Sequence, residues 1–204
     1  MKILDVTAPI YNGMPVYKDK PEKQPQFHQE THGEVTETAL KINVHTGTHI
    51  DAPRHMLADG STFESISIEM LVGPAKVLDL LDVETAIGKE DLARHAINEG
   101  DFILLKTRNS LEDRFNFNFV YLSEEAANYL ADKKIKGVGI DSLGVERNQP
   151  NHETHKALFG AGIVIIEGLR LKEAQATSYH MVAAPLKLLG TDGSPARVLL
   201  FENA

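Results

Sequence analysis

Three histidines and an aspartate lie close together near the end of the first quarter of the chain: His45, His49, Asp51 and His55. Imidazole nitrogens and carboxylate oxygens are the ligands that Zn²⁺, Mn²⁺ and similar ions accept. A lone histidine is more often structural or solvated. Four such side chains in one short segment predict a metal site, provided that the chain brings them to one point.

The local sequence decides how the chain can do this. A helix is disfavoured because three β-branched residues, Gly47 and Pro53 all lie within the segment. A straight strand would separate His45 from Asp51 by roughly 20 Å, at ~3.3 Å per residue. Ligands of one ion lie only about 2 Å from it. We therefore predict a strand that enters a tight loop bent at Gly47.

A second acidic residue breaks an apolar pattern. Glu167 directly follows Val-Ile-Ile, where the pattern predicts a buried strand. An unpaired buried carboxylate is costly, so a cation or hydrogen-bond donors must lie close to it. A metal ion would meet this need, and a buried salt bridge to Arg170 is the competing explanation.

The segment from His45 to His55 reads HTGTHIDAPRH and resembles the signature of the cyclase-like metal hydrolase family, H-x-G-T-H-x-D-x-P-x-H, at every specified position. The family includes bacterial arylformamidases and isatin hydrolases. The resemblance implies that His45, His49 and Asp51 bind metal and that His55 is the catalytic acid or base.

The resemblance extends to the second half of the chain. The family pattern has a histidine on a helix and then a hydrophobic strand that ends in Glu-Gly-Leu, as the segment from His155 to Glu167 does here. It implies that His155 and Glu167 bind a second ion, bridged to the first by Asp51. His152 is assigned to the surroundings of the site or to solvent.

Composition narrows the class of protein. The chain has 204 residues, a formal net charge of −8 and no cysteine. The negative charge argues against a nucleic-acid binder, and the missing cysteines exclude thiolate ligands and a thiol nucleophile. Apolar runs are too short to cross a membrane. We expect one domain over residues 1–204 and, by default, a cytoplasmic location.

The order of predicted elements indicates α/β packing with some parallel strand pairing. Strands are predicted over residues 3–10, 37–45, 75–80, 101–107, 137–141, 163–167, 179–186 and 197–201. Helices are predicted over residues 89–97, 124–134 and 152–159, and an extended loop over residues 15–32. Gly73-Pro74 is predicted to interrupt the regular secondary structure before the strand over residues 75–80. The resemblance implies a compact, mixed but β-rich α/β fold of the swivelling β/β/α type, assembled as a homodimer or homotetramer.

These features predict a metal-dependent hydrolase of a non-peptide amide C–N bond, with aryl formamides such as N-formylkynurenine as the leading substrates. Ring opening of a cyclic amide and a non-catalytic metal-binding protein are the alternatives. The cofactor is one or two Zn²⁺ ions, and Mn²⁺ is also compatible. Tyr17 is a candidate substrate-binding residue, although formamidases tend to carry tryptophan there. The 115–119 segment, with three phenylalanines, is an aromatic wall, an oligomer contact or core packing.

Overall fold

The computed structural model describes residues 2–202. Its strands are β1 (Ile3–Asp5), β2 (Gln26–His32), β3 (Val35–Lys41), β4 (His49–Asp51), β5 (Val72–Asp79), β6 (Ala86–Ile87), β7 (Phe102–Lys106), β8 (Tyr121–Leu122), β9 (Gly137–Ile140), β10 (Val164–Glu167), β11 (Ser178–Pro185) and β12 (Gly193–Phe201). Its α-helices are α1 (Lys89–Ala93), α2 (Glu124–Asp132) and α3 (Glu153–Gly160). Within this range, none of the helices combines the length and the apolar character that a membrane crossing requires.

The main sheet of the described residues closes into a barrel of seven strands. Its order is β12-β11-β5-β7-β9-β10-β4, and β4 also pairs with β12, which completes the ring. The strands from β5 through β7 and β9 to β10 are parallel, and the other neighbours are antiparallel. The predicted β-rich, mixed α/β architecture with parallel pairing is confirmed.

Two apolar cores lie on the two faces of the barrel wall. Along β7, Phe102 and Leu104 belong to one buried cluster, whereas Ile103 and Leu105 belong to the other. The first cluster contains no residue of the three α-helices and fills the barrel. The second includes apolar residues of all three α-helices, such as Leu130, and joins those helices to the outside of the wall. Both faces of β7 are therefore buried, which explains its continuous apolar sequence.

Most predicted elements are present within a few residues of their expected bounds. Helix α2 begins after Ser123, whose hydroxyl accepts a hydrogen bond from the Ala126 amide at 3.1 Å. Two glutamates occupy its first turn, where the helix dipole favours them. The closing hairpin is confirmed as the antiparallel pair β11 and β12. The first strand is shorter than predicted and ends at Asp5.

The segment before the histidine motif differs from the prediction. Residues 37–45 were expected to form a half-buried strand that delivers His45, and residues 15–32 an extended loop. Instead, β2 and β3 form an exposed two-stranded hairpin, and His45 lies in a turn beyond it. Leu40, Ile42 and Val44 do alternate with polar residues. However, among the described strands β3 pairs only with β2 and not with a strand of the barrel, so neither face of β3 is buried.

The predicted break at Gly73-Pro74 is also wrong. Both residues lie inside β5, where Pro74 pairs with His180 of β11. The pairing of β5 with β7 begins only at Lys76. At Pro74 the strand therefore has a neighbour on one side, and a proline without an N–H is tolerated at such a position.

A buried carboxylate fastens the loop after β7 to the end of β9. Asp141 is 4% exposed and accepts five hydrogen bonds. The donors are the amide and hydroxyl of Thr107, the amide and hydroxyl of Ser110 and the side-chain amide of Asn109. All five groups donate, so both oxygens of Asp141 must act as acceptors. The ionised carboxylate meets this requirement because neither of its oxygens carries a proton.

We expect Asp141→Asn to destabilise the protein, because the new NH₂ group faces a hydrogen-bond donor in a buried place. The expected loss is about 1–3 kcal/mol of the free energy of unfolding, measured by thermal and urea unfolding. Asp59→Asn is the matched control, since Asp59 is exposed and loses the same charge. Equal stability of the two variants would contradict this account of the Asp141 network.

Candidate metal centre

The loop that carries His45 turns at Gly47 before β4 begins. Gly47 has a φ of +63°, in the left-handed region that glycine adopts without strain. The Thr48 hydroxyl donates to the Gly168 carbonyl at 2.6 Å and accepts from the Ala8 amide at 2.8 Å. A Cβ at Gly168 would lie 2.3 Å from the Gly47 oxygen, so the close approach requires glycine. The predicted bend at Gly47 is confirmed.

Strand β4 places two of the predicted ligands on one side of the sheet. His49 lies opposite Glu167 of β10, and Asp51 lies opposite Gly193 of β12. Successive side chains of a strand point to opposite faces. His49 and Asp51 therefore point towards Glu167, while Ile50 between them is fully buried in the barrel core.

Asp51 lies between the histidines of the two halves of the chain. Its Oδ1 is 2.8 Å from Nδ1 of His45 and 3.3 Å from Nε2 of His49. Its Oδ2 is 3.5 Å from Nε2 of His155. One carboxylate oxygen thus faces the histidine motif, and the other faces helix α3.

Glu167 completes the same cluster. Its two oxygens each lie 3.4 Å from an imidazole Nε2, Oε2 from that of His49 and Oε1 from that of His155. Arg170, the alternative partner considered for Glu167, instead lies 3.2 Å from Asp113. The structure therefore brings together five residues that the sequence proposed as ligands: His45, His49, Asp51, His155 and Glu167.

Three buried atoms at the centre of the cluster test whether a metal ion fits. Nε2 of His49, Oδ2 of Asp51 and Nε2 of His155 accept or donate no hydrogen bond within residues 2–202. Buried polar atoms are rarely left in this state, because each costs free energy. A divalent cation would satisfy all three atoms with the donor types that it prefers. These residues fit a metal ion.

The charges of the cluster are strongly interdependent. Burial disfavours a charged His49, but the carboxylates of Asp51 and Glu167 outweigh this effect and raise the pKa of His49 to about 10. The neighbouring histidines hold the pKa of Asp51 well below its usual value, despite burial. Despite burial, the pKa of His155 is likewise raised by Asp51, Glu146 and Glu167. Protons on His49 and His155 would therefore balance the carboxylates when no metal is bound. A metal ion would displace those protons.

His55 lies beside this cluster. Its ring centroid is 3.9 Å from that of His45, and burial lowers its pKa. Its Nδ1 is 3.2 Å from Oδ2 of Asp192, and the same oxygen lies 2.9 Å from Nε2 of His45. Asp192 thus orients two motif histidines at once. The sequence did not identify it, since an aspartate in the turn before β12 looks like an ordinary turn residue.

A pocket of about 490 Å³ opens over the cluster and includes Tyr17 in its wall. The Tyr17 ring packs edge-on against Phe115 and Phe119, with centroids 5.5 and 6.4 Å away. Phe119 is buried, whereas Phe117 is 60% exposed. The 115–119 segment therefore supplies core packing at one residue and supports Tyr17 through Phe115. Its contribution to an oligomer contact stays a prediction.

Glu146 is a second residue that the sequence did not identify. One of its oxygens lies 3.1 Å from Nδ1 of His155 and accepts a hydrogen bond from the His155 amide at 3.2 Å. The other contacts Nδ1 of His152, which is half exposed at the pocket wall. Glu146 occupies an irregular loop after β9, where no periodicity marks it. His180 packs near Phe201 and takes no part in the cluster.

Comparison with known proteins places this geometry in a family. The family model described as "Putative cyclase" matches residues 4–147, more than half of the chain. The chain belongs to this cyclase family. Family membership agrees with the motif between His45 and His55, which the matched segment contains.

Relatives extend the likeness over nearly the whole chain. A kynurenine formamidase of Bacillus cereus is 30% identical over 201 residues, which cover 97% of this chain and 96% of the relative. A structure titled predicted metal-dependent hydrolase, from Bacillus stearothermophilus, is 61% identical with a TM-score of 0.92, and the match covers 98% and 97% of the two chains. Isatin hydrolase A of Labrenzia aggregata is 26% identical with a TM-score of 0.85, covering 98% and 93%.

These relatives agree on the class of enzyme. The chain is a hydrolase of the cyclase family, and the cluster around Asp51 supports a metal cofactor. The expectation that the chain is an enzyme is confirmed.

We expect Glu146→Gln to weaken metal binding by about 10- to 100-fold, because a carboxylate behind a ligating histidine fixes its tautomer and ring orientation. Equilibrium competition with a chelator, followed by elemental analysis, measures the affinity without reference to activity. Glu173→Gln is the control, since Glu173 is exposed and lies outside the cluster. Unchanged affinity in a folded Glu146→Gln protein would remove Glu146 from the account of the centre.

Proposed function

We propose that this protein hydrolyses the C–N bond of an aryl formamide such as N-formylkynurenine. The observation that carries the proposal is that His55, His49 and His155 line one pocket, with the inner atoms of His49, His155 and the adjoining Asp51 unpaired. The full-length likeness to kynurenine formamidases supports the substrate class.

In this proposal the five clustered residues hold one or two ions. His45, His49 and Asp51 would hold the first, and His155 and Glu167 would hold a second that shares Asp51. A bound divalent cation polarises a carbonyl oxygen and makes water more acidic. Zn²⁺ is our first choice and Mn²⁺ is the alternative, because imidazole and carboxylate ligands without thiolate accept both.

His55 moves the proton. Its contact with Asp192 through Nδ1 leaves Nε2 as the nitrogen that can take a proton from the attacking water and deliver it to the leaving nitrogen. A C–O bond forms and the amide C–N bond breaks. The products are the aryl amine and formic acid, which ionises to formate by releasing one proton to solvent, so atoms and protons balance.

Tyr17 supplies a flat ring for the aromatic part of the substrate. Aromatic rings pack against each other in offset or edge-on geometries, and Phe115 holds Tyr17 from behind. A cyclic aryl amide would meet the same ring and the same proton carrier. Ring opening is therefore the second candidate function, favoured by the structural likeness to an isatin hydrolase.

Removal of metal tests the proposal directly. We expect the metal-free protein to lose formamidase activity on N-formylkynurenine and to regain it when Zn²⁺ or Mn²⁺ is added, with bound metal counted by elemental analysis. Bound metal without turnover of the formamide, but with opening of isatin, would favour the second candidate. Folded protein that binds no metal would refute the proposal.

His55→Ala separates the proton carrier from the metal site. We expect kcat/KM to fall by about 10²- to 10⁴-fold while the metal content stays unchanged. His49→Ala should lose metal as well as activity. His95→Ala is the control, because His95 lies outside the cluster. Full activity of His55→Ala on the true substrate would show that the proton role is wrong.

Assembly, domain content and location remain proposals. A homodimer or homotetramer, a single domain over residues 1–204 and a cytoplasmic location all come from the sequence and its family resemblance. Light scattering after size-exclusion chromatography would decide the first of these.

A further inference from the structure

Two lysines flank the aromatic ring at the wall of the metal-site pocket. The ammonium nitrogens of Lys18 and Lys23 lie 5.3 and 5.1 Å from the centroid of the Tyr17 ring. All three side chains line the same pocket as His55. Lysines near the face of an aromatic ring are attracted to it, but the attraction leaves their hydrogen-bond donors free.

These two ammonium groups lack acidic partners. Within residues 2–202 neither forms an ion pair or a hydrogen bond, whereas Lys20 of the same loop lies 3.9 Å from Glu22. Lys18 is exposed and Lys23 is half-buried. Two free positive charges beside one flat ring form a suitable place for an anionic group.

The backbone keeps this arrangement in a conformation of some cost. Lys18 and Asp19 have φ values of +58° and +49°, and neither is glycine. Residues that persist in the left-handed region are held there by their surroundings and occur often at ligand sites. Tyr17 and Lys18 therefore line the pocket from a segment whose backbone conformation costs free energy.

Charge is divided along the pocket. The carboxylates of Glu146 and Glu167 line one part of the pocket, and the two lysines line the wall near Tyr17. The chain as a whole is acidic, with a formal net charge of −8. A substrate with an anionic group would be attracted to the two lysines, which would place that group beside Tyr17 at the pocket wall.

We propose that Lys18 and Lys23 select aryl amides whose aromatic part carries a carboxylate, by binding that carboxylate beside Tyr17 while the amide faces His55. This inference rests on the proposed hydrolysis of an aryl formamide and adds the charge of the preferred substrate. If the lysines instead only balance the inner carboxylates, they would affect charged and neutral substrates alike.

A matched pair of substrates distinguishes these roles. N-formylanthranilate and formanilide have the same formamide bond and ring and differ in one carboxylate. The measured quantity is the ratio of their kcat/KM values, compared between variants of the metal-loaded enzyme so that intrinsic reactivity cancels. The variants are Lys18→Gln with Lys23→Gln, Lys23→Arg, and Lys20→Gln as the control in the same loop.

We expect the double glutamine variant to lower this ratio by about 3- to 20-fold, mainly through a higher KM for N-formylanthranilate. Lys23→Arg and Lys20→Gln should keep the ratio. Added salt should raise the KM for N-formylanthranilate in the wild-type enzyme and have less effect in the double variant, because salt screens the attraction. Metal content and circular dichroism establish that each variant is folded and loaded.

The outcomes separate the two proposals. If the metal-loaded wild-type enzyme hydrolyses neither these formamides nor N-formylkynurenine, the proposed function is wrong. If it hydrolyses them and the folded double variant has the wild-type ratio, the role of the lysines in substrate choice is wrong. A fall in both kcat/KM values by the same factor also overturns it, since that result indicates a general effect on the site.

Discussion

Strand β4 is three residues long, yet it pairs with β10 along one edge and with β12 along the other. Because side chains alternate along a strand, this pairing directs His49 and Asp51 to one side and Ile50 to the opposite side. A slip of one residue would bury an imidazole and a carboxylate in the apolar core and expose the isoleucine. The free-energy cost of such a slip keeps β4 in its observed register with β10 and β12. The same pairing that closes the barrel therefore aims the candidate ligands.

Electrostatics makes the centre dependent on cations. Asp51, Glu146 and Glu167 are each at most 5% exposed and lie close together. Carboxylates in such a place are tolerated only when positive charge or donors surround them. Without a metal, His49 and His155 would take this role by holding protons. Glu146 contacts His155, and Asp192 contacts His45 and His55. The site thus has two sets of acids. Asp51 and Glu167 face the inner atoms of the histidines, whereas Glu146 and Asp192 contact the same histidines from outside.

The sequence predicted what local pattern encodes. The capped helix at Ser123 and the apolar strand before Glu167 were predicted correctly, and the structure brings Glu167 close to the histidine motif. It failed where tertiary contact decides the outcome. The alternation before His45 looked like a buried strand, but that strand pairs only within an exposed hairpin. Glu146 and Asp192 lie in irregular turns, where a functional acid has the same local sequence as a solvated one.

The two strands that meet at the site are far apart in the chain. His49 pairs with Glu167, more than a hundred residues later, and β12 follows later still. Joining such distant segments carries a large loop-closure entropy, which must be met before any of their contacts form. The last gap in the barrel is therefore expected to close late in folding. During synthesis, the histidine motif would emerge well before the partners that complete its ligand set, and a full-affinity metal centre would exist only after nearly the whole chain had been made.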